Sequence, residues 1–152
     1  FKKWLKEKKD TTKDIKKFEK SSYLAHENNS LVLNKNQIIA NIKSKTFELI
    51  DARSRERFLG LQPESRKGLK SGNIEGSKNI PFTELINGTD HTFKKKEELI
   101  SIFEKNKIDP NKKIAFTCGS GMTACVLGLT NSIISGRKPV IYDGSWTEYG
   151  IK

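Results

Sequence analysis

The stretch Ile114-Ala115-Phe116-Thr117-Cys118-Gly119-Ser120-Gly121-Met122-Thr123-Ala124 runs from apolar residues into a short loop of small ones and then into a helical pattern. Lys113 to Thr117 reads as a buried strand, and Thr123 to Ser135 as a helix stopped by Gly136. The cysteine therefore falls where a strand hands over to a helix N-terminus. Backbone N–H groups converge there and the helix dipole adds partial positive charge, so the setting favours a thiolate over a thiol. Glycines on both sides of Ser120 suit an anion-accepting cradle. Cys125, seven residues on and inside the expected helix, reads as an inert packing residue.

The same pattern repeats outward from this stretch. Leu31-Val32-Leu33 reads as a short strand. It is followed by a helix capped by Asn34, with Ile38, Ile39 and Ile42 on one face. Phe47 to Ile50 is the next strand, with Asp51 at its end holding loop amides. Residues 60–76 contain Pro63, Gly68 and Gly72 and read as a long loop of the kind that carries binding groups. Lys96 to Lys107 carries Leu99, Ile102 and Phe103 at helical spacing and is expected to end at Asp109-Pro110. Pro139 to Tyr142 gives another strand. Strands alternating with helices predict an α/β fold with a mainly parallel central sheet, helices on both faces, and a site outside the carboxyl ends of the strands. Phe58 and Trp146 read as packing residues, with Trp146 also placed to line a pocket mouth.

A cysteine in such a loop suits phosphate ester cleavage, disulfide exchange or sulfur transfer. A cysteine phosphatase needs an arginine six positions after its nucleophile to clamp phosphate, and Ala124 stands there. Local dithiol exchange needs a cysteine two positions on, where Ser120 stands. Sulfur transfer needs only one nucleophile among amides. His26 and His91 are far apart in sequence and fit no zinc spacing, so both read as surface residues and no metal or organic cofactor is expected.

The 152 residues carry a formal net charge of +11, from 29 Lys plus Arg against 18 Asp plus Glu. The length supports a single cored domain, although a hydrophobic content of 34% is lean. Only five of the cations are arginines, and four of these (Arg53, Arg55, Arg57, Arg66) fall in one short stretch. Lysine is thus a general habit of this chain and arginine a placed residue. The planar arginine fork matches a carboxylate, which marks this stretch, Arg57 and Arg66 included, as a candidate substrate clamp. Arg53 and Arg55 are left open between substrate contact and surface pairing with Asp51, Glu56 or Glu64. The lysine-rich first 20 residues lack an apolar stripe and read as a solvated linker. With no aromatic interleaving they do not read as a nucleic-acid arm. No stretch approaches the ~20 apolar residues of a membrane span.

Cys118-Gly119-Ser120-Gly121-Met122-Thr123 resembles the active-site loop of the 3-mercaptopyruvate sulfurtransferases of the rhodanese family. Ile50-Asp51-Ala52-Arg53 with Glu56-Arg57-Phe58 is similar to the family's strand-to-helix segment. Gly72-Asn73-Ile74-Glu75-Gly76 through Asn79-Ile80-Pro81-Phe82 is similar to its second signature, and Tyr142-Asp143-Gly144-Ser145-Trp146 to its closing one. The matches run in family order over most of the chain. Two positions depart: Asn73-Ile74-Glu75 replaces the usual His-Ile-Pro, and Met122 the commoner valine.

The resemblance implies a rhodanese-like domain and ping-pong sulfur transfer through a Cys118 persulfide. The expected donor is 3-mercaptopyruvate, released as pyruvate. Ser120 would assist with its hydroxyl, Arg57 and Arg66 would hold the donor's carboxylate, and the Gly119, Gly121, Met122 and Thr123 amides would hold anionic sulfur. Related thiosulfate-specific enzymes carry basic residues directly after the cysteine, where this chain has neutral Gly119 and Ser120. Thiosulfate is therefore the second candidate donor, and a non-catalytic rhodanese-like binding module is the rival role. The expected acceptor is a thiol, such as a thioredoxin-like dithiol, or cyanide. The resemblance also divides the chain into residues 1–30, the end of a preceding rhodanese-like domain plus a basic linker, and residues 31–152, a catalytic domain truncated at its C-terminal end. Phe1-Lys2-Lys3-Trp4 is similar to that preceding domain's closing helix, and the N-terminal domain becomes an expected partner. Two cysteines without a disulfide framework suit the cytosol or mitochondrial matrix.

Overall fold

A computed structural model describes residues 1–152. Five parallel strands form one sheet: β1 (Val32–Leu33), β2 (Glu48–Asp51), β3 (Lys78–Asn79), β4 (Ile114–Thr117) and β5 (Ile141–Tyr142), in the order β1-β5-β4-β2-β3. The two innermost long strands pair residue for residue, Glu48 with Ile114 through Asp51 with Thr117. All four β4 residues are buried, as expected of a parallel strand covered on both faces, where an unbroken apolar run replaces alternation.

The pleat divides the core. Ile50 of β2 and Phe116 of β4 point to a layer holding Leu99, Phe103 and Leu127, contributed by α4 (Lys96–Lys105) and α5 (Met122–Ser135). Leu49 and Ala115, one residue away, point to the opposite layer with Ile38 of α2 (Lys35–Ser44) and Trp146 of α6 (Ser145–Tyr149). Each fully buried Leu, Ile or Phe contributes roughly 1.5–3 kcal/mol relative to exposure, so both layers are needed. The expected α/β architecture with helices on both faces is the one observed.

Local signals account for most boundaries. Asn34 accepts from the Gln37 N–H at 3.0 Å while Gln37 returns a bond to the Asn34 N–H at 2.9 Å, a reciprocal cap at the start of α2. Gly136 ends α5 with φ 73°. Differences arise where tertiary packing intervenes. Ile38 is buried and Ile42 half-buried, but Ile39 is exposed, so the apolar face of α2 is narrower than its three isoleucines suggest. Helix α4 stops at Lys105, before Asp109-Pro110, because Lys107 turns left-handed (φ 55°) and the Ile108 N–H returns to the Phe103 carbonyl at 2.9 Å. That reversal buries Ile108 in the core.

Residues 59–77 hold no regular element, in keeping with the long loop expected there, and the single turn α3 (Arg55–Phe58) precedes them. Residues 1–30 are exposed throughout, with one short α-helix, α1 (Lys2–Lys6), whose Lys3 reaches Asp90 at 3.3 Å, and the start of a 3-10 turn over Asn29–Leu31. No helix is long and apolar enough to cross a membrane.

Candidate active site

β4 delivers Cys118 one residue beyond its last paired position, at the carboxyl edge of the sheet. The thiol is 2% exposed and lies at a pocket of about 210 Å³. Arg57, Arg66, Gly119, Ser120, Met122 and Thr123 also line that pocket. Every sequence-predicted site residue except Gly121 is therefore gathered in one place. Glu64 and Thr147 line it as well; Trp146 does not, being buried in the core as its reading as a packing residue expected.

The loop is fastened to the β5–α6 turn. Ser145 is fully buried in a left-handed conformation (φ 50°), unusual for a residue other than glycine and of a kind that clusters at functional sites. Its Oγ donates to the Tyr142 carbonyl at 2.8 Å and accepts the Cys118 N–H at 3.2 Å and the Gly121 N–H at 3.0 Å. In the other direction, the Cys118 and Gly119 carbonyls accept the Trp146 and Thr147 N–H groups, each at 2.9 Å, and Thr147 Oγ1 donates to the same Gly119 carbonyl. The loop's carbonyls are thus turned onto α6. The N–H groups of Gly119, Ser120, Met122 and Thr123 donate to no protein acceptor.

This corrects the expectation for Gly121. Its N–H is occupied by Ser145 and it lies outside the pocket. Its role is conformational: φ is +83°, and a Cβ there would sit 2.6 Å from Asp143 Oδ1 and 3.1 Å from the Asp143 carbonyl oxygen. We expect Gly121→Ala to lower stability by about 2 kcal/mol, combining a disfavoured left-handed alanine with a backbone clash. Chemical denaturation would check it, and an unchanged midpoint would refute it.

The arginines separate sharply. Arg53 is 2% exposed, so it is no substrate contact; the pairing expected with Asp51 or Glu64 is present, but buried rather than on the surface. Its Nη2 donates to Asp51 at 2.7 Å and to the Gly72 carbonyl at 2.8 Å, its Nη1 to Glu64 at 2.8 Å, and its Nε to Asp51 at 3.0 Å. Its guanidinium also lies 4.4 Å from the Trp146 ring centre. Asp51 thus serves this ion network, besides accepting the Arg53 N–H at 2.9 Å. Arg55 pairs with Glu84 at 3.3 Å on the surface. Arg57 is held by the other oxygen of Glu64 and leans over the loop, where a Cβ on Gly119 would meet its Nη2 at 3.2 Å. Arg66 touches only the Thr147 hydroxyl, at 3.3 Å, and forms no ion pair.

Ser145 escaped the sequence reading because it acts across the fold, although the Asp143-Gly144-Ser145-Trp146 segment was a signal for it. Glu64, expected as a pairing partner of the arginines, does pair with Arg53 and Arg57, but buried at the pocket rather than on the surface. Cys125 is exposed, against expectation, and its thiol bonds the Gly121 carbonyl at 3.4 Å. His26 and His91 are both exposed, and no three His, Cys, Asp or Glu side chains gather into a group that could hold a metal.

Comparison with known proteins agrees with this fold. The Rhodanese-like domain family matches residues 34–152. Thiosulfate sulfurtransferase of Bos taurus is 40% identical over 151 residues, covering 98% of this chain and 50% of that protein. The 3-mercaptopyruvate sulfurtransferase of Rattus norvegicus is 37% identical over 152 residues, with the same coverage. The chain spans about half the length of these relatives. The crystal structure of Tum1 from Saccharomyces cerevisiae superposes with a TM-score of 0.72 at 28% identity, covering 80% of this chain and 43% of that one. With the domain match, the relatives and the fold in accord, the chain belongs to the rhodanese family.

Proposed function

We propose that this chain is the catalytic half of a sulfurtransferase that moves sulfur from 3-mercaptopyruvate to a thiol or cyanide through a persulfide on Cys118. The observation that carries the reading is a single buried thiol facing a pocket with four unoccupied backbone N–H groups and two arginines on its wall. The Cys118 thiolate attacks the donor sulfur and the carbon–sulfur bond breaks. Its electron pair leaves on pyruvate enolate, which takes a proton from water. The free amides stabilise negative charge on sulfur, as preorganised dipoles do. An acceptor thiolate then attacks the outer sulfur and returns Cys118 to its starting state. Ser120 offers its hydroxyl to the donor.

Charge on the pocket wall favours this donor over thiosulfate. Arg57 and Arg66 bring two positive charges, while Glu64 brings one negative charge directly against Arg57. The net of about one positive charge matches a carboxylate monoanion better than a dianion, and the neutral Gly119-Ser120 pair adds none. The similarity to thiosulfate sulfurtransferases keeps thiosulfate as the second reading. A preceding rhodanese-like domain, ending in residues 1–30, would face the pocket of residues 31–152 as its partner. A thioredoxin-like dithiol is the proposed acceptor, in a reducing compartment such as the cytosol or mitochondrial matrix.

The test is intact mass of the full chain after incubation with each donor, alongside a Cys118→Ser variant. A gain of one sulfur atom with 3-mercaptopyruvate, absent in the variant, is the expected result, with thiosulfate loading more slowly. Faster loading by thiosulfate would transfer the assignment to the second reading. Failure of both donors to load Cys118 would leave a rhodanese-like binding module.

A further inference from the structure

Glu64 stands between two arginines of different character. One of its oxygens accepts Arg53 Nη1 at 2.8 Å and lies 3.4 Å from Arg57 Nε, and the other accepts Arg57 Nη2. The Glu64 side chain is 2% exposed and that of Arg57 29%. Arg53 is locked from behind by Asp51 and the Gly72 carbonyl. Glu64 therefore carries the rigidity of a buried ion network out to the pocket wall.

The edge of Arg57 that Glu64 takes decides which edge is left. A guanidinium presents its N–H donors as a rigid planar fork. Glu64 occupies the side edge, formed by Nε and Nη2. The end edge, formed by Nη1 and Nη2, stays open, and Nη1 donates to no protein acceptor. This open edge faces the cysteine loop: a Cβ on Gly119 would lie 3.2 Å from Nη2 and 4.0 Å from Nη1. Two parallel N–H groups at that place match a carboxylate in bidentate fashion. A long side chain free to rotate must surrender rotamer freedom when it binds, and Arg57 has surrendered it to Glu64 beforehand.

We propose that Glu64 is a positioning residue, fixing Arg57 so that its open edge meets the donor carboxylate beside Cys118. The proposal rests on the reading of Arg57 as the carboxylate contact. Charge alone would give Glu64 the opposite effect, since an anion on the wall repels an anionic donor. Glu64→Gln supplies one acceptor and one donor where the two arginines need two acceptors. Arg53 keeps Asp51 and Gly72, so Arg57, the more exposed of the two, is the one released.

Alkylation of Cys118 in the full chain tests this without any sulfur donor. Iodoacetate carries a carboxylate beside the carbon that the thiolate attacks, and iodoacetamide is its neutral counterpart. The ratio of their rates reads carboxylate guidance and cancels thiol reactivity; peptide mass separates Cys118 from the exposed Cys125. Glu64→Gln and Arg57→Met are each expected to lower the ratio about 10-fold. The double variant should fall no further than either alone, the mark of one coupled unit. Gly119→Ala leaves Glu64 in place and strains no left-handed backbone. Its Cβ presses on the pinned fork and should lower the ratio about 3-fold. A ratio raised by Glu64→Gln overturns the proposal, as do losses that add in the double variant, which mark a structural role through Arg53. An unchanged ratio in Gly119→Ala overturns it as well. Failure of both sulfur donors to load Cys118 would remove the sulfurtransferase function and leave the alkylation ratios to decide the role of Glu64.

Discussion

Replacing Arg53 by methionine is expected to destabilise the domain by about 3–5 kcal/mol, the cost of stranding buried charge when one partner of a buried pair is removed. The side chain would keep much of its packing volume, so the loss isolates the guanidinium. Asp51 and Glu64, with side chains 1% and 2% exposed, would be left without their shared cation. The Gly72 carbonyl and the Trp146 ring face would lose a partner in the same step. For a chain of this size that corresponds to a fall in melting temperature of about 10 °C or more. Arg53→Lys should recover little, since one ammonium cannot reproduce a planar fork serving three acceptors. Thermal unfolding followed by circular dichroism measures this directly, and a melting point within 2 °C of the parent would show that the network is dispensable.

Ser145→Ala carries the second large effect. The substitution leaves the buried Cys118 and Gly121 N–H groups without their acceptor, while the backbone strain at φ 50° is already borne by serine and is unchanged. The two orphaned donors cost about 3 kcal/mol. The rate of persulfide formation should fall about 100-fold, because the loop that aims the sulfur is no longer pinned and displacements near 1 Å have consequences of that order. Ser145→Gly separates the two losses. Glycine relieves the backbone and should regain part of the stability, yet it lacks the hydroxyl and should load sulfur as slowly as alanine. Loading at the parental rate in both variants would demote Ser145 to a packing residue.

Much of the fold was legible because its determinants are local. Asn34 with Gln37 announces the start of α2, Gly136 announces the end of α5, and the run from Ile114 to Thr117 reads as a covered parallel strand from its apolarity alone. The Cys118 loop was legible for the same reason, its residues being adjacent in sequence. What stayed hidden depends on partners far along the chain. Arg53 could be read as a surface charge until the loop from Gly60 to Gly76 folded Glu64 and the Gly72 carbonyl over it. The exposure of Ile39 was equally unreadable, since periodicity marks which side of α2 is apolar but not how wide a stripe the sheet can cover. Lys107 gave no sign of a left-handed turn, and only the burial of Ile108 accounts for it.

On the proposed function, with sulfur carried by Cys118, the double fastening of the cysteine loop, with Ser145 holding its amides and α6 holding its carbonyls, bears on how that cargo would leave the protein. A carrier on a free arm can travel to its recipient. A sulfur on this loop is stationary, and with Cys118 almost wholly enclosed the only approach is through the pocket. Delivery is then governed by the shape of the visitor. Small nucleophiles enter unaided, whereas a protein recipient must carry its thiol on a projecting tip narrow enough to reach down to the sulfur.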